Sequence, residues 1–126
     1  MKKLDLYITT PLYYVNSRPH IGHTYTTVIS DIVKKYHKLF GRRVYLLTGT
    51  DEHGEKIAIT AEKEGKDIVN FVDDNSKRFR DVWNSLGIDY DDFIRTTEPR
   101  HQKVVKYILQ KLYDSGDIYF SSYEGK

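Results

Sequence analysis

A layered α/β fold, with a parallel sheet flanked by helices, is what this sequence predicts, and three observations predict it. Short β-rich runs alternate with longer segments whose apolar residues recur at helical spacing. The run Val44 to Thr48 is almost continuously apolar, the mark of a strand buried on both faces, as parallel strands are. The stretch Pro11 to His23 passes straight from a strand into a helix, the kind of turn above which such sheets gather their ligands.

Leu4 to Thr10 is predicted as the first strand, because Leu4, Leu6 and Ile8 alternate with polar or aromatic neighbours. A helix follows from about Gly22 to Phe40. Ile21, Tyr25, Val28, Ile29, Ile32, Val33, Tyr36, Leu39 and Phe40 repeat at helical spacing, Ile21 reads as core, and Gly41 stands where a C′ residue would. With Val44 to Thr48 these make a right-handed βαβ unit whose crevice lies at the carboxyl ends of the strands. Glu55 to Glu64 reads as a short helix closed by Gly65. Asp67 is a suitable N-cap for a helix from Ile68 to Leu86, with Ile68, Val72, Phe79, Val82, Trp83 and Leu86 inward and Gly87 as its stop. Asp92 to Thr96 reads as a strand. Thr97-Glu98-Pro99 opens another helix, with Val104, Val105, Ile108, Leu109, Leu112 and Tyr113 inward and Gly116 at its end, and Ile118 to Tyr123 reads as a last strand. No repeat or low-complexity segment interrupts the series.

The chain has 126 residues, 39% hydrophobic and 30% charged, which fits about one globular domain and excludes a disordered or membrane-embedded one. No apolar run approaches the roughly 20 residues of a spanning helix, and no signal-peptide core opens the chain, so a cytoplasmic protein with no membrane partner is expected. A formal net charge of +2 gives no general case for nucleic-acid binding; any such contact must be local or lie outside these residues. There is no cysteine, which excludes disulfides and thiolate metal sites within the chain. Lys34-Lys35, Arg42-Arg43, Asp73-Asp74 and Asp89 to Asp92 read as solvated faces and turns. The eleven tyrosines, scattered over helices and strands, read as packing rather than as a base-stacking platform.

Chemistry concentrates in the strand-to-helix turn. Backbone N–H groups and the positive end of a helix dipole make anions its natural guests. His20 and His23 share one face of the first helical turn, and Gly22 between them has no Cβ to hold a ligand off the backbone. Both imidazoles could therefore reach one phosphate chain; the alternative is that they merely cap the helix. Pro19 suits the approach to that helix. Asp51 follows the buried strand at the carboxyl end of the sheet, where it could hold an ammonium group or, alternatively, cap the next helix. Gly49 and Gly54 are read as giving the surrounding loop its freedom.

The strand, then Pro11-Leu12-Tyr13-Tyr14-Val15-Asn16, then His20-Ile21-Gly22-His23, a helix, and about thirty residues later Gly49-Thr50-Asp51-Glu52-His53-Gly54, resembles the amino-terminal half of class I aminoacyl-tRNA synthetases. His-Ile-Gly-His is similar to their ATP signature, and its pairing with Thr-Gly-Thr-Asp-Glu-His-Gly resembles the methionyl branch. The isoleucine and valine branches usually carry a Gly-Trp-Asp-Cys-His-Gly type segment there. The resemblance runs through all 126 residues. It implies a Rossmann-like parallel sheet with flanking helices. Residues 1–117 would be the first half of the catalytic domain, and 118–126 the start of the connective insertion. The implied activity is ATP-dependent formation of methionyl-adenylate and transfer of methionine to tRNA(Met), with ATP used together with Mg2+. Zinc is implied only for a longer parent, since no ligands for it lie here.

By the same resemblance His20 and His23 are the catalytic donors to phosphate, and Pro11, Asn16 and Gly22 join them in holding the nucleotide. Asp51 binds the α-ammonium of methionine, while Leu12 and Tyr14 form part of the slot for its unbranched, polarizable side chain. An ordinary half-buried aromatic at a strand end is the alternative for Tyr14, and loop stabilisation that for Glu52 and His53. The Lys-Met-Ser-Lys-Ser loop that completes class I sites is nowhere in the sequence, so residues 1–126 are expected to turn over negligibly alone. Two other classes stay open: a related nucleotidyltransferase that handles no tRNA, and a non-catalytic binding fragment.

Overall fold

The computed structural model describes residues 4–122. Along the chain come β1 (Leu6–Thr9), β2 (Tyr13–Tyr14), α1 (Ile21–Leu39), β3 (Val44–Asp51), α2 (Glu55–Lys63), α3 (Ile68–Ser85), β4 (Asp92–Arg95) and α4 (Pro99–Asp114). They fall into two compact units, Met1–Thr96 and Thr97–Lys126.

In the first unit every strand pair is parallel and β3 is the centre of the sheet. β1 pairs with its first half, Leu6 opposite Val44 through Thr9 opposite Leu47. β2 continues along the same edge, Tyr13 opposite Thr50 and Tyr14 opposite Asp51. β4 takes the other edge, Leu47 opposite Asp92 through Thr50 opposite Arg95. β3 runs three residues beyond its predicted end, so Gly49 lies inside the strand and Asp51 is its last residue. Gly49 does not serve loop freedom. A Cβ there would stand 2.0 Å from the carbonyl oxygen of Ile94, so the hydrogen is what lets β4 approach this closely.

The core gathers Tyr13, Val15, Ile57, Ala61, Phe71, Val72, Phe79, Trp83, Ile88 and Phe93, with Val28, Val82 and Tyr90 packed against it. α3 supplies Phe71, Val72, Phe79 and Trp83, more than any other element, and starts where Asp67 accepts from the N–H groups of Val69 and Asn70. Its outer turns differ from expectation: Ile68 and Leu86 are exposed. No helix among the described residues is long and apolar enough to cross a membrane.

α1 departs further from its hydropathy pattern. Its buried residues are Thr27, Ser30, Asp31 and Lys34. Ile21, read as core, is 86% exposed, and Tyr25, Ile29, Ile32, Val33, Tyr36, Leu39 and Phe40 are exposed with it. The polar face can be buried because each of its groups has a partner. Thr27 and Ser30 return their hydroxyl protons to the carbonyls of His23 and Thr26 at 3.0 Å. Lys34, 1% exposed, donates to Asp91 Oδ2 at 2.6 Å and to the Asp89 carbonyl at 2.5 Å. Asp31 accepts the N–H of Asp89 at 2.8 Å and the ammonium of Lys35 at 2.6 Å. Asp91 also accepts the N–H of Leu46 at 2.6 Å. The solvated reading of Lys34 is therefore overturned, while Asp89 and Asp91 stay partly open to water as they bind it: these charges sew α1 to the connection before β4.

In the second unit α4 begins with Pro99 in its first turn, and none of its residues is buried. Its expected inner residues, Val104, Val105, Ile108, Leu109, Leu112 and Tyr113, are exposed. Periodicity marks the face a helix can bury, not whether a layer covers it. The strand expected over 118–123 is absent from residues 118–122, where no regular structure forms. Tyr123 lies outside the described residues. Apolar residues alone do not make a strand, which needs a partner's backbone.

Candidate active site

His20 is the N-cap of α1, in extended conformation, and its Nδ1 accepts the N–H of Gly22 at 3.1 Å. His23, in the third helical position, accepts the N–H of His20 on its own Nδ1 at 3.3 Å. This is the reciprocal capping arrangement usually made by a hydroxyl and a carboxylate, built here from two imidazoles. A ring nitrogen that accepts carries no proton, so each neutral ring holds its proton on Nε2. Capping and anion binding are thus compatible: the caps use both Nδ1 atoms and leave two Nε2–H donors.

The two rings stack with centroids 3.7 Å apart and planes 24° from parallel. Burial lowers the proton affinity of His23 below the usual imidazole range, and the charge of His20 lowers it further. Gly22 makes room for this geometry. A Cβ there would lie 3.0 Å from Cε1 and 3.1 Å from Nδ1 of His20, so the imidazole itself fills the space above the glycine.

Tyr13 fixes the pair to the sheet. Thr27 spends its hydroxyl proton on the carbonyl of His23, so the Tyr13 phenol is the donor in its 2.8 Å bond to Thr27 Oγ1. The Tyr13 ring lies 4.9 Å from that of His23 and stacks on Phe79 at 5.6 Å, with Trp83 at its edge. In the sequence Tyr13 stands only as one residue of the Pro11–Asn16 motif, with no role of its own. No sequence signal singles it out: Leu12, Tyr13, Tyr14 and Val15 are all apolar or aromatic, and the exposed–buried alternation along them appears only in the fold.

Asp51 stands on the same end of the sheet. It pairs with Tyr14, one residue beyond the pairing of Thr50 with Tyr13, whose ring meets His23, so the acid ends its strand at the level where β2 leads toward the histidines. Asp51 Oδ1 accepts one long bond, 3.4 Å, from the N–H of His53. It does not cap α2, whose N-cap is Gly54 with φ 133° and no side-chain bond. The next residue does the opposite: the Glu52 side chain is 0% exposed. Its Oε1 accepts from Thr50 Oγ1 at 2.7 Å and from Arg95 Nε at 2.6 Å. The hydrogen bond to Glu52 raises the already high proton affinity of Arg95.

A cleft of about 400 Å³ opens beside this end, lined by Tyr14, Asn16, Gly54, Glu55, Lys56 and Ile57. The Tyr14 ring lies over Gly54, with Cε1 3.9 Å from where a Cβ would be. Of the residues singled out in the sequence, Tyr14 and Asn16 are on its walls. Pro11 and Leu12 lie on the β1–β2 connection away from those walls, both exposed, and Asp51, His20 and His23 border the same end without lining it. No group of three or more His, Cys, Asp or Glu side chains arranged to hold a metal occurs among the described residues.

Residues 6–126 match the family described as tRNA synthetases class I (M). A methionine–tRNA ligase of Halalkalibacterium halodurans is 53% identical over 94% of this chain and 18% of its own length. One from Thermotoga maritima is 46% identical over 97% of this chain and 19% of its own. The structure of Mycobacterium tuberculosis methionyl-tRNA synthetase in complex with methionyl-adenylate superimposes with a TM-score of 0.92 at 36% identity, over 94% of this chain and 23% of that one. The chain thus spans less than a quarter of the relatives it matches. A parallel sheet ending in a histidine-capped helix on one strand and an aspartate on the next, matched over nearly all its residues, makes this chain a member of the class I tRNA synthetases, in their methionyl branch.

Proposed function

We propose that the protein carrying these residues is a methionine–tRNA ligase: it joins methionine to ATP as methionyl-adenylate and passes methionine to tRNA(Met). The observation that carries the reading is the pair of Nε2–H donors of His20 and His23 at the start of α1, with Asp51 as the last residue of the parallel strand that β2 pairs with. When the carboxylate of the amino acid attacks the α-phosphorus, negative charge grows on the phosphate oxygens, and donors fixed beforehand stabilise it. His20 and His23 supply those donors, locked in tautomer by the helix cap. Asp51, whose one side-chain bond among the described residues is the long one from His53, receives the α-ammonium. Tyr14 and Leu12 contribute to the slot for the thioether, while Pro11, Asn16 and Gly22 flank the nucleotide.

ATP enters such sites as its Mg2+ complex, an ion carried largely by phosphate oxygens and water rather than by a protein cage. Residues 1–117 form the first half of the catalytic domain in this reading, and 118 onward the start of the connective insertion. The adenylate bound in the Mycobacterium tuberculosis structure supports the substrate assignment. ATP–pyrophosphate exchange by the complete gene product, run with each protein amino acid in turn, tests it. Exchange with methionine alone is expected, and exchange driven by a different amino acid overturns the reading. Asp51→Ala should chiefly raise the methionine KM and His23→Ala chiefly slow adenylate formation; the reverse pattern would exchange their roles.

A further inference from the structure

The end of β4 grips the segment around Asp51 on both sides. Ahead of it, Thr50 donates its hydroxyl to Glu52 Oε1 at 2.7 Å, and the Thr50 carbonyl accepts the N–H of Thr96 at 3.2 Å. Behind it, the N–H of Glu52 donates to Thr96 Oγ1 at 2.9 Å, and His53 Nδ1 meets the same hydroxyl at 3.0 Å. The Glu52 carboxylate, wholly buried, is held by Arg95 Nε at 2.6 Å, while Arg95 Nη2 reaches Asp73 Oδ1 on α3 at 2.5 Å. Residues 50, 52 and 53 are thus all fastened to Arg95 and Thr96, and the carboxylate between them is left to face outward. From this we infer that Arg95 is a positioning residue for the amino-acid ammonium: through Glu52 it fixes the backbone from which Asp51 projects, without touching substrate itself. The inference rests on the proposed function, since it takes Asp51 as the ammonium acceptor.

The chemistry asks for arginine in particular. A buried carboxylate with no partner is strongly disfavoured, and a guanidinium can serve two acids through separate nitrogens of one rigid plane. A lysine at the same place offers one mobile point charge in place of two donors fixed in one plane, and so holds Glu52 and Asp73 less rigidly. Arg95→Lys should therefore keep the charge but loosen the frame, letting Asp51 wander from the ammonium. The adenylate-forming donors, on α1, are untouched.

The test uses the complete gene product, with far-UV circular dichroism on each variant. In ATP–pyrophosphate exchange Arg95→Lys should raise the methionine KM about tenfold with kcat within about twofold of wild type. Binding of 4-(methylthio)butanoate, which is methionine without its amino group, should change less than about twofold, because only the ammonium depends on Asp51. An unchanged KM, a loss confined to kcat, or an equal loss for both ligands overturns the inference. If Arg95→Lys does not fold, Glu52→Gln decides by the same split, since it keeps the side-chain volume and the Thr50 contact and removes the charge that Arg95 holds. A wild-type protein with no methionine-dependent exchange would instead sink the proposed function, so the two failures are distinguishable.

Discussion

The N–H of His20 ends on Nδ1 of His23, 3.3 Å away, beneath a stack of the two rings at 3.7 Å. A helix normally begins with four N–H groups in want of acceptors, and here imidazole nitrogens answer two of them. The same bonds decide where the ring protons sit, so the architecture of the helix start and its capacity to donate to an anion are one arrangement.

Acid should dismantle it. His23 holds its proton less tightly in the fold than the unfolded value of 6.5, chiefly through burial and then through the charge of His20. Below pH 6.5 the unfolded chain therefore takes up this proton first, so the stability contributed by neutral His23 is complete above that pH and declines as pH falls toward the folded value. A proton on Nδ1 also ends its acceptance from His20. An NMR titration of the His23 ring should show a midpoint below 6.5, with adenylate formation falling over the same range; a midpoint above 6.5 contradicts the geometry.

Gly22→Ala tests the space above the helix start. The new methyl would press on the His20 ring at 3.0 Å, and losing that cap costs about 1 kcal/mol. Adenylate formation in the complete gene product should slow while methionine KM stays near wild type. A rise in KM alone would place the effect on the amino-acid side instead.

The parts of this fold that were legible in the sequence are those with local causes. Asp67 before Ile68, Gly41 and Gly65 after their helices, and the apolar run of β3 each carry their signal within a few residues. The buried face of α1 was not legible, because Lys34 finds Asp89 and Asp91 more than fifty positions along the chain and no hydropathy pattern announces that meeting. β2 was missed because two residues, Tyr13 and Tyr14, are too few to display an alternation, and Gly49 because the closeness of Ile94 is a property of the folded sheet. The candidate site followed from two short motifs; its internal wiring, in which Tyr13 ties His23 to the strand and Arg95 ties down Glu52, required coordinates.

At Gly49 the expected effect is on folding. Alanine would set its methyl 2.0 Å from the Ile94 oxygen, which is backbone and cannot swing aside, so β3 and β4 must separate. Overpacking of this kind costs about 1–3 kcal/mol, and the backbone origin of the clash puts Gly49→Ala at the upper end. Thermal unfolding of the complete gene product should begin several degrees lower, with amide exchange in Asp92–Arg95 accelerated; unaltered exchange there would refute the close approach.

Lys34→Met keeps the length of the side chain and removes its charge, leaving Asp91 and Asp89 without the buried ammonium. Breaking one side of such a pair costs about 3–5 kcal/mol when fully buried, and Asp89 and Asp91 reach water, so about 2 kcal/mol is the expected loss. Denaturant unfolding measures it. Asp91→Asn made on top of Lys34→Met should restore part of that loss, and a double variant less stable than the single would mean that the lysine acts through packing.

β3 ends with neighbouring acids that meet opposite fates, Asp51 turned outward and Glu52 sealed inside against Arg95 and Thr50. Because side chains along a strand swap sides at every residue, a single codon gained or lost within Val44–Asp51 would exchange those fates, sealing the wrong acid and presenting the other. The same codon gained between Lys63 and Ile68, in the short link joining two helices, would shift nothing in the sheet. Tolerance to insertion in this chain is therefore set by strand parity, and β3 is where it should be lowest.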